Sequence, residues 1–383
     1  MDAEAFFSRI LAEAGIELNG SKSWDLRQHD RRLASRLGTG GMLAFGESYM
    51  DGWWDSEDLG ELCYRLLVAR MKKSGGPREW PRLLNDLRRR FFNLQRRGSQ
   101  ARQVVEEHYD LPAYLFEAML GETMAYSCAY WPGLSGDPAN LDAAQRQKLD
   151  LICRKLELKP GELVLDLGCG FGSFSRYAAE NYGCKMVAVN LSSGQLAFAR
   201  RFCAGLPVEF FQCDYRDTQA YAQGRVFDKV ASIAMFEAIG HKNFRGYMKI
   251  AHRLLRDQGL FLLHTLGDEE CSSNPWMDKY IFPNGELPTV GQLAEAILGL
   301  FHLEDFHNFG QDYGTTLAAW EQRFRERWPE IAAREPARFD QRFFRMWIFY
   351  LASCRAALRS RHMYLWQLVM SKGHLADTYR SVR

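Results

Sequence analysis

"VLDLGCGFGSFSRYAAE", residues 164–180, runs from an apolar strand through a turn with three alternating glycines into a helix. A strand, tight turn and helix N-terminus in this order present free backbone N–H groups and the positive end of a helix dipole to whatever lies above them. Dinucleotide sites place glycines at the first, third and sixth positions of the turn, the last for close packing of helix on strand. Here the glycines are Gly168, Gly170 and Gly172, and the sixth position is Ser173. Asp166 lies two residues before the first glycine. A carboxylate there would repel a pyrophosphate, but it suits a ligand with an ammonium beside a carboxylate, such as the methionine end of S-adenosylmethionine. A dinucleotide site also calls for Asp or Glu about twenty residues on, where the strand "KMVAVN" ends in Asn190. The methyl donor is the expected ligand, ahead of a nicotinamide or flavin and of a purely structural turn.

Working outward, strand-like and helical segments alternate from about residue 162. "ELVLDLG", "KMVAVN", "VEFFQC", "KVASIAM" and "GLFLLHT" are separated by crossover segments with helical periodicity. Such alternation predicts an α/β fold with a doubly wound, mostly parallel sheet. Ligands in that fold sit above the strand carboxyl ends, where Asp166, Asn190, Asp214, Glu237 and His264 fall. An aromatic, loop-rich stretch follows, and "FHLEDFHNF" and "MYLWQLVMS" are two further strand candidates with a helical insertion between them. Residues 1–95 read as a smaller, mainly helical domain, "RRGSQAR" (96–102) as a linker, and 104–383 as the catalytic domain.

The 383 residues, 47% of them hydrophobic, suffice for roughly two globular domains. Nine scattered cysteines without a CxxC pair indicate neither a disulfide framework nor a metal site. The first residues, "MDAEAFFSRILAEAG", do not read as a secretory signal, and no apolar run is long enough to span a bilayer. The expectation is a cytoplasmic protein. Net charge is only +2, yet residues 82–102 hold seven arginines and one acid. Leu83, Leu84, Leu87, Phe91 and Leu94 recur at helical spacing, giving an amphipathic helix with a basic face. That face fits an anionic bilayer surface, although a packed helix with solvated arginines has the same pattern. Nucleic acid is not expected, because no basic and aromatic stacking pattern accompanies it.

Taken together, "FGESYMDGWW" (45–54), "FFNLQ" (91–95), "EEHYDL" (106–111), "YSCAYW" (126–131), "LELKPGELVLDLGCGFG" (156–172), "DYRD" (214–217), "FLLHTLG" (261–267), "YIFPNGELP" (280–288) and "HNFGQDYGTTLAAW" (307–320) span nearly the whole chain. In these motifs the sequence resembles the bacterial cyclopropane-fatty-acyl-phospholipid synthases, a branch of the class I S-adenosylmethionine methyltransferases. The resemblance implies a seven-stranded, Rossmann-like methyltransferase sheet. It also implies transfer of a methylene group from S-adenosylmethionine across a cis double bond of an unsaturated phospholipid. The enzyme would associate peripherally with the inner face of the membrane, and a homodimer is left open.

The family holds bicarbonate as proton acceptor. By motif its ligands correspond here to Cys128, Glu237, His264 and Tyr313, with Leu266 contributing a backbone group. For the donor, the corresponding residues are Asp166, Gly168, Gly170, Gly172, Asn190, Gln195, Asp214 and Tyr215. Tyr130, Trp131, Phe171 and Phe236 are candidate aromatic walls for a developing cation. Arg88, Arg89, Arg90, Arg96 and Arg97 would face the membrane. One departure concerns "MFEAIG": where many relatives read Phe-Glu-His, this chain has Ala238. The acid is kept, and the alternative product is a methyl-branched or exomethylene lipid from a fatty-acyl methyltransferase.

Overall fold

The computed structural model describes residues 3–71, 111–269 and 274–383; Arg88, Arg89, Arg90, Arg96 and Arg97 lie outside them. In chain order the elements are α1 (Ala3–Glu13), β1 (Arg27–Gln28), α2 (Leu33–Met50), β2 (Trp54–Asp55), α3 (Leu59–Met71), α4 (Ala113–Leu120), α5 (Leu141–Lys155), β3 (Leu163–Leu167), α6 (Ser173–Tyr182), β4 (Lys185–Asn190), α7 (Ser193–Phe202), β5 (Val208–Gln212), α8 (Thr218–Tyr221), β6 (Phe227–Ile233), α9 (His241–Leu254), β7 (Leu255–Asp268), α10 (Pro275–Tyr280), α11 (Val290–Ile297), β8 (His302–Asn308), α12 (Gly310–Arg334), α13 (Gln341–Arg359) and β9 (Met363–Ser371).

The chain divides into two compact units. One comprises residues 93–271, 284–313 and 364–383 and contains a seven-stranded sheet of order β5-β4-β3-β6-β7-β9-β8. Strands β3 to β7 are parallel to their neighbours within that group, and β8 runs antiparallel to β9. All seven expected strands are present. Side chains alternate across the sheet. Leu165, Leu167, Val187 and Val189 pack with Phe244, Tyr247 and Met248 of α9 on one face. Val164 and Met186 pack with Leu149 and Ile152 of α5 and Phe174 and Ala178 of α6 on the other. By the same alternation Asp166 belongs to the α5 and α6 side. Strand order reverses between β3 and β6, so the carboxyl ends of these strands flank the crevice where open α/β sheets bind ligands.

The other unit comprises residues 1–92, 272–283 and 314–363. It gathers the amino-terminal helices, α10, most of α12 and all of α13, which packs on α2 and α3. The helical insertion between β8 and β9 therefore joins the unit of the amino-terminal helices. "FGESYMDGWW" forms its centre: Trp54 is fully buried, stacks on Phe45 with centroids 4.4 Å apart, and donates through Nε1 to Phe45 O. Arg345 lies 4.0 Å from the centre of the Tyr49 ring and donates to Trp54 O at 2.8 Å. A Cβ on Gly46 would lie 2.4 Å from Trp276. The stretch after β7 holds two short helices, α10 and α11, each started by a side-chain cap. Asn274 accepts from Trp276 N, and Thr289 forms a capping box with Gln292.

Candidate active site

The turn after β3 is built for close approach. Gly168 adopts φ +83°, and a Cβ there would lie 2.6 Å from Met235 Cβ. Gly170 has φ +53°, but a Cβ would meet nothing within 4 Å among the described residues, which leaves space above this peptide for a ligand. Gly172 is the N-cap of α6. Asp166 is buried, accepts from Ser175 Oγ at 2.7 Å, and is pushed by burial up to about 6 against the pull of that hydrogen bond and of Lys148. Next to it, Asn190 Nδ2 donates to Gly170 O at 3.3 Å and to Gln195 Oε1 at 2.8 Å, while its Oδ1 accepts from Leu191 N at 2.8 Å. Ser192 caps α7 by accepting from Gln195 N. This side of the crevice is thus a cradle whose loops are tied to one another.

Farther along the strand ends, Asp214 accepts two side-chain hydrogen bonds from Arg216, at 2.7 and 2.6 Å. Tyr215 is buried with its ring against Tyr247, 4.9 Å between centroids, and its carbonyl accepts from Tyr221 OH. Its side chain belongs to the sheet core.

At the end of β6 a short 3-10 turn, Phe236–Ala238, carries Glu237. Leu266 N donates to Glu237 Oε1 at 2.6 Å, and Oε2, also buried, has no hydrogen-bond partner among the described residues. Burial pushes this carboxyl up to about 7, against the Leu266 N–H. His264 on β7 is fully buried, and burial holds it well below the usual histidine range, so the ring is neutral. Gln367 Nε2 lies 3.1 Å from its Nδ1, and with that amide as donor the ring proton sits on Nε2. Nε2 has no hydrogen-bond partner among the described residues. Cys128, Phe309 and Leu365 form a small buried cluster flanked by Tyr130, Leu266 and Tyr313, and the His264 ring lies edge-on to Phe309 at 5.9 Å. Cys128, Glu237, His264, Leu266 and Tyr313, scattered over 186 residues of sequence, are thereby linked by shared neighbours.

Against known proteins, a family model described as mycolic acid cyclopropane synthetase matches residues 96–368. The chain belongs to this family. It is 43% identical to the cyclopropane-fatty-acyl-phospholipid synthase of Escherichia coli over 96% of its own length and 92% of that protein. To tuberculostearic acid methyltransferase UfaA1 of Mycobacterium tuberculosis it is 33% identical, over 88% and 81% respectively. Among solved structures, the cyclopropane synthase MmaA2 of M. tuberculosis superposes with a TM-score of 0.64 at 26% identity, covering 71% of this chain and 98% of that one. Mycolic acid cyclopropane synthase CmaA1, complexed with SAH and CTAB, gives 0.63 at 26% identity with the same coverage. The protein is an S-adenosylmethionine-dependent methyltransferase of the cyclopropane synthetase family with the class I methyltransferase fold.

Several side chains of this site escape a sequence reading. Ser175, Gln367 and Arg216 are partners of anticipated residues and carry no pattern of their own. Lys148 and Gln145 are different. Both are buried on α5, and both fall at three- and four-residue steps among Leu141, Ile152 and Lys155. Polar residues inside an apolar helical stripe are the signal that could have found them.

Proposed function

We propose that the protein transfers a methylene group from S-adenosylmethionine across a cis double bond of an unsaturated phospholipid acyl chain, with proton removal by bicarbonate. An alkene is a weak nucleophile, and its attack on an activated methyl leaves a carbocation-like centre on the acyl chain. Loss of a proton from the added methyl then closes the ring. The observation that carries this reading is a pair of buried atoms with no hydrogen-bond partner among the described residues, Glu237 Oε2 and His264 Nε2. One is an acceptor and the other a donor, which fits an ion that has both an O–H and an anionic oxygen. Bicarbonate, when bound, supplies the base. His264 Nε2–H and the Tyr313 hydroxyl would donate to it, Glu237 would accept from its O–H, and Cys128 and Leu266 would shape the pocket. Tyr130 and Phe309, edge to face at 5.3 Å, line the cluster with aromatic surface suited to a developing cation.

Asp166 and the open face of Gly170 would receive the amino-acid end of the donor, with Asn190 and Gln195 holding the neighbouring loop. Asp214 and Tyr215 follow β5, where the adenosine end would lie. Ala238 favours a second reading, in which the same carbocation loses a chain proton to give a methyl-branched alkene, or shifts a hydride onto the cationic carbon and then loses a methyl proton to give an exomethylene lipid. Proton NMR of lipids from cells expressing the protein separates the two. Upfield cyclopropane resonances are expected, and vinylidene signals in their place would establish the second reading. Ring and exomethylene have equal mass.

Access to a double bond inside a bilayer requires docking on its surface, and the arginines of residues 82–102 support a peripheral association with an anionic membrane. Each basic residue near such a surface contributes on the order of 1 kcal/mol. Changing Arg88, Arg89 and Arg90 together to Gln should weaken binding to anionic vesicles and flatten its salt dependence, with S-adenosylhomocysteine affinity unchanged. Unaltered vesicle binding at low salt would move the docking surface elsewhere.

A further inference from the structure

The buried stripe of α5 carries two lysines with different surroundings. Lys155 is paired, with Asp305 Oδ2 at 2.9 Å and His307 Nδ1 at 3.2 Å. Lys148, 1% exposed, has one hydrogen-bond acceptor among the described residues, Ser127 Oγ at 2.7 Å. An ammonium has three N–H donors. A charge this deeply buried is normally held by a paired opposite charge, yet among the described residues no carboxylate stands within ion-pair distance of Lys148. Its charge acts on Cys128 and Asp166, and also on His264. It therefore bears on both the donor end and the acceptor end.

Among the described residues the cations that act on His264 are Lys148 and Lys155, and Lys155 is already paired with Asp305. His264 is neutral, and Glu237 is an acid. Placing an anion there brings like charges together in an apolar enclosure unless a cation faces them. Lys148 also grips the turn that carries Cys128. Gln145, one helical turn away, donates to Ala125 O and Ser127 O at 3.3 and 2.9 Å. Two side chains of α5 thus hold one turn, and only one of them is charged.

We infer that Lys148 is a positioning residue that supplies the counter-charge of the anion site, fixing the Ser127–Cys128 turn through Ser127 Oγ and offsetting the negative charge of an ion bound beside Glu237. The inference rests on the bicarbonate reading above. It requires that removing the charge weaken anion binding more than loosening the turn does.

The test uses the full chain saturated with S-adenosylhomocysteine. Its thermal midpoint is followed as sodium bicarbonate replaces sodium chloride at constant pH and ionic strength, so that the rise reports ion binding. Wild type is expected to show a saturable rise. In Lys148→Met and Lys148→Gln the apparent bicarbonate affinity should fall by about tenfold or more, with S-adenosylhomocysteine affinity by calorimetry changed by less than about fivefold. Gln at 148 keeps a donor for Ser127 Oγ and fills the buried volume, which guards against a Met variant that fails to fold. Gln145→Met, which loosens the same turn without a change of charge, should weaken bicarbonate by less than about threefold. Wild-type bicarbonate affinity in a folded Lys148→Gln would overturn the inference. So would equal losses in Gln145→Met and Lys148→Met, because turn geometry would then account for both. A wild-type midpoint indifferent to bicarbonate would remove the bicarbonate reading itself, and the role of Lys148 with it.

Discussion

Asp166 and Asn190, at the donor end, are tied into the protein by Ser175, Gln195, Gly170 and Leu191. Glu237 and His264, at the proposed acceptor end, each keep one buried polar atom without a hydrogen-bond partner among the described residues. An unsatisfied buried polar atom costs stability. A site that carries two of them is complete only when a ligand supplies the missing bonds. The donor cradle, by contrast, keeps its shape through its own hydrogen bonds. Substitutions at the two ends should accordingly separate, with donor affinity responding at one and turnover at the other.

The sharpest break of that comparison is Glu237→Gln. The amide keeps the shape but loses the charge proposed to orient the proton acceptor. Turnover at saturating donor should fall by about 10² to 10⁴, the range of general acid–base catalysis, with S-adenosylhomocysteine affinity nearly unchanged. Turnover within about twofold of wild type would exclude Glu237 from proton removal.

The same substitution has a signature in stability. Glu237 titrates at about 7 in the folded protein against 4.5 for an unperturbed glutamate. Between these values the folded state binds more protons than the unfolded state, so unfolding free energy falls as pH rises through the window. Glu237→Gln has no such titration. Its stability relative to wild type should rise from about pH 4.5 to 7 and then level off, by on the order of 3 kcal/mol. Asp166, raised to about 6, adds the same sign of slope to both proteins and cancels in the difference. Urea unfolding in bicarbonate-free buffer measures it, and parallel pH curves would mean that Glu237 is ionised at neutral pH.

At the donor end, Asp166→Ala removes the carboxylate proposed to face the donor's ammonium. A charge-assisted contact of this kind is worth roughly 1.5 to 3 kcal/mol, about ten- to more than hundredfold in affinity. Turnover at saturating donor should change far less. Equal donor affinity in the variant would place the amino-acid end elsewhere.

How far the sequence alone reaches also differs between regions. The strands were legible because their apolar runs are separated by periodic crossover helices, and Asp166 and the glycines because a strand, turn and helix leave few alternatives. α10 and α11 read as loop because helices of six and eight residues offer too little periodicity. The grouping of α12 and α13 with the amino-terminal helices depends on tertiary packing of α13 on α2 and α3, which no local pattern encodes. His264, Cys128 and Glu237 as isolated residues read as ordinary core or helix-start positions, and only their motifs joined them. Lys148 was hidden by its charge, because a lysine on an amphipathic helix is expected at the surface.

The smallest expected effect concerns Asn190, whose side chain joins the Gly170 peptide to Gln195 and caps Leu191. In Asn190→Ala these neutral hydrogen bonds are lost, each worth about 1 kcal/mol net, while no charge near the donor changes. Gly170 is partly exposed and can recover part of the loss from water, whereas Gln195 is buried. Affinity for S-adenosylhomocysteine should therefore fall by about three- to tenfold, less than in Asp166→Ala, and turnover at saturating donor should stay close to wild type. If Asn190→Ala instead lowered turnover as much as Glu237→Gln does, the two ends would not be independent, and the cradle would be setting the position of the transferred methyl against the acceptor as well as holding the donor.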